Sequence, residues 1–265
     1  MTTIASRLQA VRSRIDAAAV AAGRSPGDIR LIAVSKTFPP AAIAEAHAAG
    51  QVAFGENYLQ EALGKMAVLL RPLEWHVAHG QQDGGQREGG VRPSAGVASP
   101  EGPLLRPLEW HFIGPIQSNK TRQIVEQFDW VHSVDRLKIA ERLSISRPAS
   151  RPPLEVCIQV NVSGEESKSG VRPDEVLALA KAVSRLTGIR LRGLMAVPEP
   201  TSTIGLQRAR FRLLRQLRDE IVRHGVALDT LSMGMSDDLE AAIAEGATLV
   251  RVGRAIFGER LPHSG

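Results

Sequence analysis

The sequence predicts an α/β protein built as a (β/α)8 TIM barrel, with an extra N-terminal helix and a disordered insertion before the third strand. Three observations carry this. Eight short apolar runs recur along the 265 residues, several apolar on both faces, as a parallel sheet covered by helices requires. Helix-like patterns separate them, which is the alternation of βα units. The length suits one barrel, since α/β barrels run to roughly 200–250 residues as one domain. We therefore expect a single domain over 1–265, with 77–103 as the insertion.

The elements follow in order. MTTIASRLQAVRSRIDAAAV reads as an amphipathic helix and not a signal peptide, because it lacks a basic start followed by an apolar block. The first strand, Ile29 to Val34 (IRLIAV), is rich in β-branched residues and too short for a helix. The other strands are expected over 52–54, 110–113, 130–134, 156–162, 191–197, 230–233 and 249–252. A helix over 41–49 follows Pro39-Pro40 and closes at Gly50. Helices over 58–70, 120–128 and 135–143 continue the pattern. The next, 173–186, opens on proline and closes at Gly188. The last two, 207–224 and 237–245, end at Gly225 and Gly246. A doubly wound sheet is the fold alternative, but its first turn is normally glycine-rich, and VSKTFPP is not.

The insertion announces itself by a repeat. LLRPLEWH occurs at 69–76 and again at 104–111, with a Gly-, Pro-, Gln- and Ser-rich stretch between the copies. Such a stretch buries too little apolar surface to offset its ordering entropy. Only the second copy continues into FIGPIQSNK, an apolar strand followed by a polar turn, so it supplies the third strand. His76 and His79 stand three apart, but no further ligand stands at metal-binding spacing, and no metal is expected.

Composition excludes several classes. With 43% hydrophobic and 23% charged residues the chain is not wholly disordered. No apolar run approaches the ~18–20 residues of a bilayer span, so no membrane association is expected. The net charge of +5 comes from 33 scattered basic residues, and aromatics are only 4%, which argues against nucleic acid. The single cysteine, Cys157, allows no internal disulfide and fits a reducing, cytoplasmic setting.

Barrel chemistry sits at the C-terminal ends of strands. Lys36 ends the first strand. A lone lysine is usually a solvated charge, but over an apolar core its amine is desolvated and suited to attack an aldehyde. After the seventh and eighth strands come Gly234, Ser236 and Gly253, in the loops where barrels commonly bind phosphate. Ser236 precedes Asp237-Asp238-Leu239-Glu240, and a helix cap is its plainer role. An amine and a phosphate cradle together imply a phosphorylated aldehyde.

At this point the sequence resembles the pyridoxal-phosphate homeostasis family, single-domain relatives of the alanine racemase N-terminal barrel. The motifs are AVSKTFP (33–39), FGENYLQEA (54–62), LEWHFIGPIQSNKTR (108–122), VHSVD (131–135), VNVSGEESKSG (160–170), GLMAVP (193–198) and LSMGMSDDLEAAIAEGATLVRVGRAIFGER (231–260). The resemblance implies pyridoxal 5'-phosphate (PLP) on Lys36 as a Schiff base. It implies phosphate contacts from Ser236, Gly253 and Arg254, and Arg251 facing the pyridine nitrogen. Asn57 and Met195 are expected to line the pocket, and His111 either reaches it or belongs to the core. Arg254 departs from the family, which usually has Ser or Thr there.

The function so implied is a PLP carrier or buffer in the cytoplasm, a monomer that serves PLP-requiring apoenzymes without robust catalysis. Arginine at the ring nitrogen disfavours its protonation and leaves a weak electron sink. The first alternative is a PLP-dependent amino-acid racemase with Lys36 as one base. The related racemases take their second base, a tyrosine, from another domain, and the one tyrosine here is Tyr58. A cofactor-free aldolase-like barrel using Lys36 is the second alternative. Lys120 is the rival lysine.

Overall fold

The computed structural model of the chain describes residues 3–79, 107–164 and 169–259. Its strands are β1 (Arg30–Val34), β2 (Ala53–Glu56), β3 (Glu109–Phe112), β4 (Trp130–Val134), β5 (Leu154–Gln159), β6 (Ile189–Met195), β7 (Thr230–Ser232) and β8 (Leu249–Val252). They form one closed parallel barrel in chain order. Closure is made by β1 against β8, with Ile32 opposite Arg251 and Ala33 opposite Val252.

The helices are α1 (Ile4–Ala21), α2 (Pro40–Ala48), α3 (Leu59–His79), α4 (Thr121–Gln127), α5 (Leu137–Ser146), α6 (Val176–Val183), α7 (Ile204–Arg223), α8 (Leu239–Ala244) and α9 (Arg254–Phe257). α1 is the extra helix. Thr3 caps it, its Oγ1 accepting the Ser6 N–H at 3.1 Å. Its buried stripe is Ile4, Leu8, Val11, Ile15 and Ala18, the three-and-four spacing of one helical face. It packs against α2, α8 and α9. Within the barrel, Ile32, Ala53, Trp130, Cys157, Met195 and Leu249 form one interior cluster.

The expected elements are present, with shifted ends. β2 runs on through Gly55 to Glu56, past the last apolar residue, because Lys65 neutralises that buried carboxylate. β5 ends at Gln159, and Val160 makes only an isolated bridge to Val171. The helix expected over 120–128 divides into a 3-10 turn (Ser118–Lys120) and α4. α9 was not expected, since four residues carry no periodicity. Of the expected insertion 77–103, residues 77–79 close α3 and the rest lies outside the described residues. The His76 and His79 side chains lie outside them too.

The two copies of LLRPLEWH have different fates. Residues 69–76 are helical in α3, whereas Glu109, Trp110 and His111 of the second copy belong to β3, paired with Ala53, Phe54 and Gly55 of β2. Local sequence therefore does not decide between helix and strand here.

Deleting 69–103 joins Val68 to Leu104 and leaves one copy. Loop-closure cost changes by only ~0.6 kcal/mol per doubling of length. The expected melting temperature, followed by circular dichroism, stays within about 5 °C of the parent. A larger fall would show that the first copy packs on the barrel.

Candidate functional site

The C-terminal strand ends surround a cavity of about 1270 Å³. Lys36, Asn57, Ser236, Arg251, Gly253 and Arg254 all line it. These six come from the ends of β1, β2, β7 and β8, which closure makes contiguous.

Lys36 is aimed by a tight turn. The Phe38 N–H donates to the Ser35 carbonyl at 3.1 Å, and Thr37 has φ of 70°. That left-handed conformation is rare for a β-branched residue and costs ~1–3 kcal/mol. Polar contacts hold it. The Thr37 N–H donates to Glu61 Oε1 at 2.5 Å. Lys65 Nζ donates to the Ser35 carbonyl at 2.8 Å and pairs with Glu56 at 2.8 Å and Glu61 at 2.5 Å. Ser35 Oγ adds a 2.6 Å hydrogen bond to Glu56. Burial still pushes the Glu56 carboxyl above the usual range, with Lys65 and Ser35 opposing it. Sequence reasoning missed this cluster. Its one legible sign was the i,i+4 spacing of Glu61 and Lys65, which normally marks an exposed helix face.

Beside Lys36, three buried oxygens have no hydrogen-bond partner among the described residues: Thr37 Oγ1, Glu56 Oε2 and Asn57 Oδ1. Orphaned polar atoms in one loop cluster are the mark of a site completed by water or a ligand.

Arg251 is 3% exposed. Its Nη1 donates to Ser232 Oγ at 2.6 Å and its Nη2 to the Ala196 carbonyl at 2.8 Å. Burial lowers its pKa to about 10, with Asp238 and Cys157 opposing, so it remains a cation near neutrality. The loop after β7 turns at Gly234, whose φ of 96° and approach to Ala242 exclude a side chain. Ser236 does not cap α8. The N-cap is Asp238, whose carboxylate accepts the Met235 N–H at 2.6 Å, which leaves Ser236 on the cavity wall. The Ser236 carbonyl accepts Arg14 Nη2 from α1 at 2.8 Å. Gly253 stands where a Cβ would lie 3.0 Å from the Val34 carbonyl, so a side chain would crowd β1 just before Lys36. The Arg254 guanidinium pairs with exposed Asp237 at 2.9 Å.

Other sequence candidates lie elsewhere. Met195 is not on the cavity wall and belongs to the interior cluster with Trp130 and Cys157. His111 is fully buried inside the barrel. Lys120 sits in the 3-10 turn before α4, outside the lining. Tyr58 is 57% exposed and also outside it. Among the described residues no cluster of His, Cys, Asp or Glu is placed to hold a metal, and no helix is long and apolar enough to cross a membrane.

An amine, a buried guanidinium, a hydroxyl and a glycine-opened backbone face one cavity. That donor set fits an anionic ligand carrying a carbonyl, with the amine as nucleophile.

The chain is similar to several known proteins over nearly its whole length. The profile of the family "Alanine racemase, N-terminal domain" matches residues 6–261. The pyridoxal phosphate homeostasis protein of Pseudomonas aeruginosa is 56% identical over 261 residues, covering 98% of this chain and 97% of that protein. The protein of the same name from Escherichia coli K12 is 48% identical over 269 residues, covering 98% of each. The structure of PipY from Synechococcus elongatus PCC7942 with PLP bound is 35% identical and superposes with a TM-score of 0.74, over 97% of this chain and all of that one (100%).

Lys65→Met should destabilise the fold by about 3–5 kcal/mol, because it strands a buried carboxylate. The double variant Glu56→Gln/Lys65→Met should recover part of that loss. Urea unfolding at neutral pH, with Glu56→Gln alone as the second single variant, measures this, and a double loss equal to the sum of the single losses would mean that the pair is not coupled.

Proposed function

The chain belongs to the pyridoxal phosphate homeostasis family of alanine-racemase-type barrels, and we propose that it binds PLP as a Schiff base on Lys36 and serves as an intracellular carrier or buffer of that cofactor without robust catalysis. The observation that carries this reading is the pairing of β1 with β8, which brings Lys36 and Arg251 to one cavity. PLP supplies an aldehyde to a primary amine and, with its ring nitrogen protonated, an electron sink.

The residues of this chain fit binding better than turnover. Lys36 attaches, and Asn57 Oδ1 is a buried oxygen left for a ligand. Ser236 and the backbone N–H groups of Gly253 and Arg254 meet the phosphate. Arg251 only donates hydrogen bonds, so a ring nitrogen facing it accepts and stays unprotonated. Tyr58 is exposed and away from the cavity, which weighs against the racemase alternative and its second base. The recipients in this reading are PLP-requiring apoenzymes, and the protein acts as a cytoplasmic monomer that engages neither nucleic acid nor membrane. The one thiol, Cys157, is buried, with its pKa pushed by burial up to about 12, so it stays reduced and unreactive.

Lys36→Ala should abolish the visible absorbance of bound PLP and the borohydride-fixed adduct while the far-ultraviolet spectrum is unchanged. An adduct mapped to Lys120 or another lysine would overturn the assignment. Ser236→Ala should weaken PLP binding about ten- to hundredfold while attachment persists, the effect of losing a hydrogen bond to a charged group. Unchanged affinity would remove Ser236 from the phosphate site. Arg254→Thr should change affinity by less than about threefold, since the guanidinium is held in an exposed ion pair. A sharp fall would show that it turns inward to the phosphate.

A further inference from the structure

Beneath the cavity floor, polar side chains run in single file through the barrel. Arg251 Nη1 lies 2.6 Å from Ser232 Oγ, and Ser232 Oγ lies 2.8 Å from His132 Nδ1. His132 Nε2 lies 2.9 Å from His111 Nδ1, and His111 Nε2 lies 2.6 Å from Glu109 Oε1. Arg30 pairs with that same carboxylate at 2.8 Å. Ser232, His111 and His132 are completely buried. Glu109 and Arg30 open β3 and β1, at the barrel end opposite Lys36.

The ends of the series fix its direction. A guanidinium only donates, and an ionised carboxylate only accepts. At Glu109, burial opposes ionisation but is outweighed by the hydrogen bond from His111 and by Arg30, and the carboxyl is held below its usual range. His111 therefore donates from Nε2–H. As a neutral ring it has a lone pair on Nδ1, so His132 donates to it from Nε2–H. His132 Nδ1 then accepts. Ser232, whose oxygen already takes a hydrogen bond from Arg251, gives its single proton to His132. Ser232, His132 and His111 each donate once along the chain, and no other arrangement of neutral rings satisfies both ends.

The surroundings favour the neutral form of both rings. Burial lowers the His111 pKa, with Glu109 and Asp129 opposing and Arg30 assisting. It lowers His132 further, assisted by His111 and Arg251. Arg251 itself is faced by Asp238 and Cys157. His111 also stacks on Trp130 at 5.5 Å, which fixes its ring plane.

We infer that His132, His111 and Glu109 are positioning residues for Arg251: they form a hydrogen-bond chain of one fixed direction, anchored at the far rim, that orients its guanidinium toward the cofactor ring. This rests on the reading that the PLP ring meets Arg251. It extends the site from the cavity wall to the opposite end of the barrel, through residues that touch no ligand.

Two measurements test it. The first uses the full chain without cofactor, labelled with 15N-histidine, and long-range 1H–15N spectra between about pH 5.5 and 8, the range of an ordinary histidine. His111→Gln and His132→Gln assign the signals. Both rings should be neutral Nε2–H tautomers throughout. An Nδ1–H tautomer or a titrating ring overturns the chain. The second compares PLP loading. His132→Leu cuts the chain, whereas His132→Gln keeps one acceptor and one donor. The leucine variant should lose about two- to tenfold in PLP affinity and shift the bound absorption band, while borohydride still fixes PLP on Lys36. The glutamine variant should stay within about twofold. Glu109→Gln, at the far rim, should move the band in the same direction as leucine does, and it provides the readout if the leucine variant does not fold. Parental spectra and affinity in both broken variants overturn the positioning role. Absence of any Lys36 adduct in the parent overturns the cofactor reading instead, and the tautomers then decide the chain alone.

Discussion

A guanidinium held inside an apolar barrel sets the terms for the rest of the interior. Removing the Arg251 charge from water costs several kcal/mol unless hydrogen bonds and counter-charge replace hydration. Its direct side-chain and backbone partners are a hydroxyl and a carbonyl, Ser232 and Ala196. The carboxylate at the end of its hydrogen-bonded file is Glu109, three side chains away. That arrangement leaves a cationic donor surface at the cavity, which favours an anionic occupant. Because β8 is hydrogen-bonded to β1, the same closure that buries Arg251 fixes Lys36 across from it.

The helix outside the barrel supports the same region. α1 sends Arg14 to Glu240 and to the Ser236 carbonyl. Arg24, just past its end, reaches the Ile243 and Ala247 carbonyls, which fastens the end of α8. The loop after β7 and the connection from α8 to β8 are thus held from behind by arginine. The same use of arginine accounts for much of the basic composition. Arg147 donates to the Val125, Phe128 and Pro152 carbonyls, and Glu245 collects Arg208, Arg212 and Arg215. These cations complete backbone and side-chain acceptors of the fold, so the surplus charge is not in itself a sign of nucleic acid.

The barrel was legible because strands covered on both faces are apolar throughout, a pattern that needs no knowledge of partners. That Lys36, Ser236, Arg251 and Gly253 share one cavity was legible because barrel strands end on one face. What stayed hidden was polar burial. Glu56 and Lys65 look like surface charges until α3 folds them together under the Ser35 turn. His111 and His132 are visible in LEWHF and VHSVD, but only closure brings β3 and β4 within hydrogen-bond reach of β7. Met195 was misplaced for the complementary reason: its position at a strand end suggested the cavity, while its side chain fills the layer below. Ser236 stood two residues too early to cap α8, an offset that periodicity cannot resolve.

The duplicated octapeptide has a consequence for how the chain reaches this state. The unfolded protein holds two candidates for its third strand, and the first lies much nearer β2. Leu69 follows Glu56 by 13 residues and Leu104 by 48, nearly two doublings of loop length, so chain entropy prefers the nearer copy by about 1 kcal/mol. The outcome is settled downstream. Using the first copy would put Val77, Ala78 and His79 in the places of Phe112, Ile113 and Gly114. At the last of these a Cβ would lie 2.1 Å from the Asn57 carbonyl oxygen, a collision that no side-chain rotation relieves. The closed barrel thus accepts only the second copy as β3, because Gly114 admits the Asn57 carbonyl where His79 would not.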